Sequence, residues 1–421
     1  MDNLTQNMDF KKDLKDNLKN LDLSIKFYSL DDLVYVIPDN SIPTTYITIY
    51  FLSGSYLESL NKAGLNYIVF KTLVRSTKKL KYDVLNYYLE KYSISLSSFG
   101  GFFNSGISLS FPFYNYKEAI YALNSILYDY IFRSNDLEEV KRDAINSIKV
   151  LRDDVWGYLS AYSDKAFFNS FLARDIKGEI KNIKNFERSD LIKWYENLLK
   201  SKDIKKIAII SGYTNSNFEK LFFKSFYKIL NRNNNYIDKM VDFEIVPKRI
   251  SHKLNKVETG IALIYPAPSY SLDFFDYRVI SSILGSMSGR LFVNIREKQE
   301  LAYAITSYYE ALPLKSGSIK FLMLTSKENK NKAINALFEE VKKITENGFN
   351  EEEINVAKNY IIGNYIDSFV KRSFKVNSLA KHLLFNIPLE FINNYVNYIN
   401  SINKESINNK LEYFQNNPGI F

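Results

Sequence analysis

Between residues 283 and 303 the chain reads Ile283-Leu284-Gly285-Ser286-Met287-Ser288-Gly289-Arg290-Leu291-Phe292, then Ile295-Arg296-Glu297-Lys298 and Leu301-Ala302-Tyr303. Tyr277–Leu284 reads as a helix, Gly285–Gly289 as a turn, and Arg290 to about Lys298 as a second helix with Leu291, Phe292 and Ile295 along one stripe. Leu301–Tyr308 alternates as a strand, which puts Leu301, Tyr303 and Ile305 on one face. The glycines do not make a phosphate loop, because the Gly-Lys-Ser/Thr ending and the preceding strand are both missing. A tight turn before a helix accounts for them.

Working outward, Thr259–Tyr265 and Ser318–Thr325 are strand-like, and Asn329–Asn347 and Glu351–Val370 are helical. The first half runs in a similar order. Strand-like Leu33–Ile37 and Tyr46–Leu52 precede a helix from about Lys62 to Arg75, on which Leu65, Ile68, Val69 and Leu73 recur at helical spacing. Ile107–Phe111 alternates, a helix covers Tyr116 to about Phe132, helix-like segments run from about Leu137 to Ser201, and Lys206–Ile210 is a short apolar strand. The polar run Asn231–Asn235 is typical of a linker. The expected division is therefore residues 1–230, a linker at 231–248, and residues 249–421. At 421 residues, two cores are the natural outcome. Strands mixed with long helices in each half argue an α+β architecture, sheets covered by helices.

The composition closes several routes. The chain has no cysteine, which removes disulfides, thiolate metal sites and a Cys nucleophile. Its net charge of +9 comes from 56 basic and 47 acidic residues spread along the chain, with no arginine-rich run or aromatic platform of a nucleic-acid binder. The first 20 residues are charged and lack an apolar signal core, and no stretch approaches the ~20 apolar residues of a spanning helix. A cytoplasmic protein is the simplest reading; a targeting segment removed before residue 1 would make it periplasmic or organellar. The two histidines, His252 and His382, stand 130 residues apart without a ligand at i+3 or i+4, and each reads as a surface or boundary residue. HExxH, GxSxG and Walker-type motifs are all missing.

Two segments carry a family resemblance. The first is Gly54-Ser55-Tyr56-Leu57-Glu58, then Ala63-Gly64-Leu65-Asn66-Tyr67-Ile68-Val69-Phe70-Lys71-Thr72-Leu73 and Ser76-Thr77. The second is the 283–303 stretch with Tyr265-Pro266-Ala267-Pro268 before it, supported by Gly348-Phe349, Glu351–Glu353 and Ala357-Lys358. Together they resemble the pitrilysin, insulinase and mitochondrial-processing-peptidase type of zinc peptidase. In that family the first segment carries His-x-x-Glu-His, two zinc ligands with a general base between them, and a later helix adds a carboxylate ligand. The pattern fails here at each position. Tyr67 stands at the first His, Phe70 at the base, Lys71 at the second His, and Ser147, within Asn146-Ser147-Ile148, at the third ligand.

The resemblance implies two related domains, each a mostly antiparallel sheet packed with helices, in a clam-shell arrangement. It also implies that two such chains enclose a chamber for unfolded peptide. In heterodimers of this type one chain carries zinc and the other an Arg/Tyr pair, here matched by Arg296 and Tyr303. The expectation is a non-catalytic subunit with no cofactor of its own, zinc being confined to a catalytic homologue as partner. Peptide would add as a strand to a sheet edge. A purely structural core-type subunit of a larger complex, a stand-alone peptide-binding protein, a peptidase with unusual metal ligands and a basic nucleic-acid binder are the rival readings. No nucleic-acid partner and no membrane span are expected.

Overall fold

The computed structural model describes residues 23–230 and 244–421. The N-terminal segment and most of the expected linker, including Asn231–Asn235, lie outside the described residues.

The run Lys206–Gly212 is buried along its whole length, as expected of a strand covered on both sides. It is one of six strands in the first sheet: β1 (Tyr28–Leu30), β2 (Val34–Pro38), β3 (Thr44–Phe51), β4 (Ser95–Gly100), β5 (Ser105–Pro112) and, after a two-residue strand β6 (Phe168–Asn169) outside it, β7 (Lys206–Gly212). Their spatial order is β1-β2-β7-β3-β5-β4, so β4 is an edge. β2 and β7 run parallel; every other neighbouring pair is antiparallel. The helices of this half are α1 (Leu65–Leu73), α2 (Tyr82–Lys91), α3 (Tyr116–Tyr128), α4 (Ser134–Asp153), α5 (Val155–Tyr162), α6 (Ile180–Asn185), α7 (Arg188–Lys200) and α8 (Ser216–Phe226).

Alternation along β3 and β7 sends side chains two ways. Ile47, Ile49, Phe51, Ala208 and Ile210 join a core with Ile68 of α1, Leu123 of α3 and Leu191 of α7. Tyr50, Leu52, Ile207 and Ile209 point to the opposite face, where their cover comes from far along the chain.

The second half opens with β8 (Glu244–Ile245), which pairs with β6, then β9 (Glu258–Pro268). β10 (Ala304–Glu310), β11 (Ser316–Ser326) and β12 (Gly419–Ile420) complete an antiparallel sheet in the order β10-β11-β9-β12. Its helices are α9 (Asp273–Gly285), α10 (Lys330–Asn347), α11 (Glu351–Phe369) and α12 (Arg372–Phe385), with three short helices between 390 and 408. Ile261, Leu263, Ile319 and Phe321 pack on Ile280 of α9, Leu337 of α10 and Ile361 of α11. The other face of this sheet, with Ala262, Ile264 and Leu322, packs on Leu159 of α5 and on Phe167, Phe171 and Leu172.

The cover is thus reciprocal. Val376, Leu379 and Leu384 of α12, with Tyr365 and Phe369 of α11, close the back of the first sheet. The segment 159–172 of the first half closes the back of the second. Each fully buried Leu or Val contributes roughly 1.5–3 kcal/mol, so either cover is worth several such increments. Arg372, just inside α12, locks the junction. Its Nε donates to Asp39 Oδ2 at 3.0 Å and its Nη1 to Thr44 O at 3.0 Å, which holds the Asp39 carboxyl well below the usual carboxylate range. Tyr50 Oη donates to Asn377 Oδ1 at 2.6 Å across the same seam.

The sequence reading needs local correction. The helix expected from Arg290 is wound as a π-helix over Phe292–Glu297, and Leu301 N reaches back to Ile295 O at 3.1 Å. The strand begins three residues later than expected, at Ala304 and not Leu301. Tyr303 and Ile305 do not share an environment, being 59% and 7% exposed. The helical stretch from 137 to 201 breaks into α4 to α7 with β6 and short 3₁₀ turns between them. His382 is not at the surface. It is 6% exposed, and its Nδ1 lies 2.9 Å from Pro388 O.

Candidate functional site

Helix α1 carries the positions of interest, and its start is held by an internal carboxylate. Glu58, buried, accepts hydrogen bonds from Gly64 N at 2.9 Å and Asn66 N at 2.7 Å, two amides of the first turn. Burial outweighs these bonds and pushes its pKa up to about 7. Gly64 and Gly178 both have positive φ, 96° and 88°, and their backbones cross. A Cβ on Gly64 would strike the Lys177 carbonyl, and one on Gly178 would strike that of Ala63. The helix start is therefore pinned against the 177–178 loop.

From that start, the three matched positions of α1 take three environments. Phe70 is fully buried, its ring 5.4 Å from that of Phe51. Tyr67 is half-buried; burial, then the charges of Asp175 and Asp143, push its phenol pKa up. Lys71 donates from Nζ to Ser98 O on the edge strand β4 at 2.7 Å, and its ammonium lies 5.7 Å from the Tyr67 ring. Burial pulls the Lys71 pKa down. Ser147 is exposed on α4, which packs against α1, and it is Asp143, one turn earlier on α4, whose charge Tyr67 feels.

This set does not fit zinc. A hydrocarbon ring cannot act as the base, an ammonium repels a cation, and neutral Tyr and Ser hydroxyls are poor ligands. Among the described residues no group of three or more His, Asp or Glu side chains is placed to hold a metal ion.

Tyr67 faces a cavity of about 660 Å³ between the two halves. Trp156, Arg174 and Asp175 line it from the first half, and Tyr308, Glu310 and Lys320 from the second. Lys320, with a side chain 5% exposed, donates to Asp164 Oδ2 at 2.7 Å and Glu310 Oε2 at 3.1 Å. Burial opposes its charge, but the two carboxylates hold its pKa above the usual lysine range. Burial raises the Asp164 pKa, and its second oxygen, Oδ1, has no hydrogen-bond partner. The ion cluster ties strands β10 and β11 to the segment after α5.

Arg296 and Tyr303 do not line this cavity. The Arg296 guanidinium lies 4.5 Å from the Phe292 ring centre, with Nε 4.0 Å from Glu297 Oε1. Tyr303 is exposed, its amide paired with Leu324 O at 2.9 Å. No hydrogen bond joins their side chains among the described residues.

Sequence reasoning did not reach Asp143, Asp164, Asp175 or Lys320. For Lys320 a signal exists: it is the lone charge inside the apolar run Ile319-Lys320-Phe321-Leu322-Met323-Leu324. A buried charge in a strand implies a partner across the sheet face.

Residues 185–361 match the family described as the peptidase M16 inactive domain. That segment is thus similar to the inactive domain of M16 peptidases. Over its wider length it is similar to the non-peptidase homolog YmxG of Helicobacter pylori, 23% identical over 382 residues, covering 87% of this chain and 85% of that one. It is also similar to the uncharacterized zinc protease YmxG of Bacillus subtilis, 22% identical over 399 residues, covering 91% and 94%. Among solved structures, a peptidase M16 inactive domain from Pseudomonas fluorescens superposes with a TM-score of 0.81 at 15% identity, over 94% of this chain and 96% of that one. A protease from Helicobacter pylori gives 0.80 at 16% identity, over 94% and 97%. The two-sheet architecture is thus an M16 fold. Among the described residues no helix is long and apolar enough to cross a membrane.

Proposed function

We propose that the chain is the non-catalytic subunit of a heterodimeric zinc peptidase, holding extended peptide in its chamber while a zinc-bearing homologue cleaves it. The observation that carries this reading is the pairing of a refilled α1 with an open cavity. Tyr67, Phe70 and Lys71 have replaced the metal chemistry, yet Tyr67 still faces about 660 Å³ of open space. A chain kept only as scaffold has no need of that space. Edge strands β4 and β10 offer unpaired backbone to an extended peptide. Arg296 and Tyr303, both exposed to at least a third of their surface, are the residues we assign to the partner's reaction centre.

One observation favours the structural rival. Arg296 is already engaged by the Phe292 ring and lies near Glu297. Coexpression with a zinc-bearing homologue from the same genome, followed by size exclusion and peptide cleavage, separates the readings. Peptidase subunits should co-elute through an interface of upward of roughly 2,000 Å² and cleave better together than the homologue does alone. A chain that stays apart from every such homologue defeats the proposal; one that assembles without affecting cleavage leaves the structural role.

A further inference from the structure

Beside the cavity that Tyr67 faces lies a second of about 370 Å³, lined by Tyr270, Phe274, Tyr395, Arg278, Lys381 and Glu310 among others. Tyr308 and Glu310 line both, so the two spaces meet at strand β10. Arg278 comes from α9 and Lys381 from α12. Neither makes an ion pair with a carboxylate of the described residues. The one carboxylate on the lining, Glu310, is engaged by Lys320 at 3.1 Å. The Tyr270 ring lies beneath Lys381, its centre 4.8 Å from Nζ. Burial and then the neighbouring Arg278 pull the Lys381 pKa down to about 8, while Arg278, opposed by burial, is held charged by its interaction and hydrogen bond with Tyr395. His382, also on the wall, is held neutral by the same burial and by Lys381.

Two buried cations without a carboxylate partner among the described residues cost free energy, and an anion relieves that cost. The walls decide which anion. Tyr270, Phe274 and Tyr395 are broad aromatic faces, suited to the organic body that carries a carboxylate and not to hydrated inorganic phosphate. Arg278 offers a planar fork to that carboxylate, and Lys381 adds a point charge. Strand β10, an edge of its sheet, leads from the larger cavity to this wall.

We propose that Arg278 and Lys381 form a carboxylate-binding site in the chamber, which takes the free C-terminus or an acidic side chain of an extended peptide. This rests on the peptide-holding reading above and specifies its substrate. The site anchors one end of the peptide, and strand addition along β10 then sets its register.

Calorimetric titration of the full chain tests it. The probes are one short unstructured peptide lacking Asp and Glu, with a free C-terminus; its C-terminal amide; the amide with one internal Glu; and inorganic phosphate. The free-acid peptide should bind about ten- to hundredfold tighter than the amide, the range expected for a charge-assisted pair. Tight binding of the Glu-bearing amide as well assigns the site to carboxylates in general; its failure assigns it to C-termini. Arg278→Gln and, separately, Lys381→Met should abolish the preference, while Lys404→Gln, an equal change of charge at an exposed position, should keep it. Melting temperatures of the variants verify that they are folded. Equal binding of acid and amide overturns the carboxylate site but leaves peptide holding intact. No binding of any peptide overturns both. A preference that survives Arg278→Gln and Lys381→Met places the anion elsewhere, and binding of phosphate alone excludes the peptide.

Discussion

Lys71 Nζ lies 2.7 Å from Ser98 O, so the side chain that the family resemblance matches to a metal ligand is spent on the backbone of edge strand β4. The charge that excludes zinc also fastens the helix to the sheet edge. Purified, tag-free chain should therefore contain far less than one zinc per molecule by elemental analysis. Near one equivalent, removed by a chelator together with peptidase activity, would refute this. Restoring histidine at 67 and 71 with Ser147→Glu should recover zinc binding only partly, because the Lys71–Ser98 bond is lost at the same time.

Phe70→Glu should be the costly member of any attempt to rebuild the site. Phe70 is fully buried against Phe51, so a carboxylate there must either stay ionised without a partner or take up a proton. Loss of a buried aromatic alone costs about 3–5 kcal/mol. Urea denaturation should show at least that loss, and Phe70→Leu should lose much less.

Lys320→Met should destabilise by about 3–5 kcal/mol, because it leaves Asp164 and Glu310 near each other without their cation. Asp164→Asn removes one carboxylate, one of whose oxygens is unpartnered already, and should cost clearly less. Equal losses in the two variants would show that the cluster is not organised around the lysine.

His382 makes the fold sensitive to acid. Burial, then Lys381, depress its pKa from 6.5 to about 4, so the unfolded chain binds the proton more readily. The stability it confers is complete above 6.5 and is lost as pH falls through about 4, in total roughly 3 kcal/mol. Glu58 slopes the other way. Its pKa rises from 4.5 to about 7, so its contribution is complete below 4.5 and lost as pH rises through 7. The check is therefore the difference between wild type and His382→Gln across pH 4–7: the variant's relative stability should rise as pH falls.

In the assembled heterodimer, Arg296→Ala or Tyr303→Phe should lower peptide cleavage roughly ten- to hundredfold, the worth of one charge-assisted hydrogen bond, without weakening co-elution. Arg296→Lys should recover only part, lacking the planar fork. Wild-type cleavage by both mutants would make the pair structural.

What the chain's order reveals follows from distance along it. The helix that carries Tyr67, Phe70 and Lys71 is legible because its apolar spacing is plain. Strands β3, β7, β9 and β11 announce themselves by β-branched and aromatic runs. The π-helical turn at Phe292–Glu297 leaves the local apolar spacing nearly unchanged, so the later start of β10, at Ala304, is invisible beforehand. The chamber wall was out of reach for a different reason. Tyr67, Asp164 and Tyr308 meet only after both sheets have formed, and nothing local marks them. Helix α12 hides its role because Val376, Leu379, Ala380, His382 and Leu384 are buried on several sides, which blurs any single stripe.

The reciprocal cover sets an order of events during synthesis. Tyr50, Leu52, Ile207 and Ile209 leave the ribosome long before α12, their lid, exists. Until residue 385 has emerged, the growing chain presents an apolar sheet back to solvent or to a chaperone, and its first half cannot finish folding as an independent unit. Ribosome-stalled chains ending before α12 should be protease-sensitive and chaperone-bound, and a few tens of residues more should switch them to the resistant state.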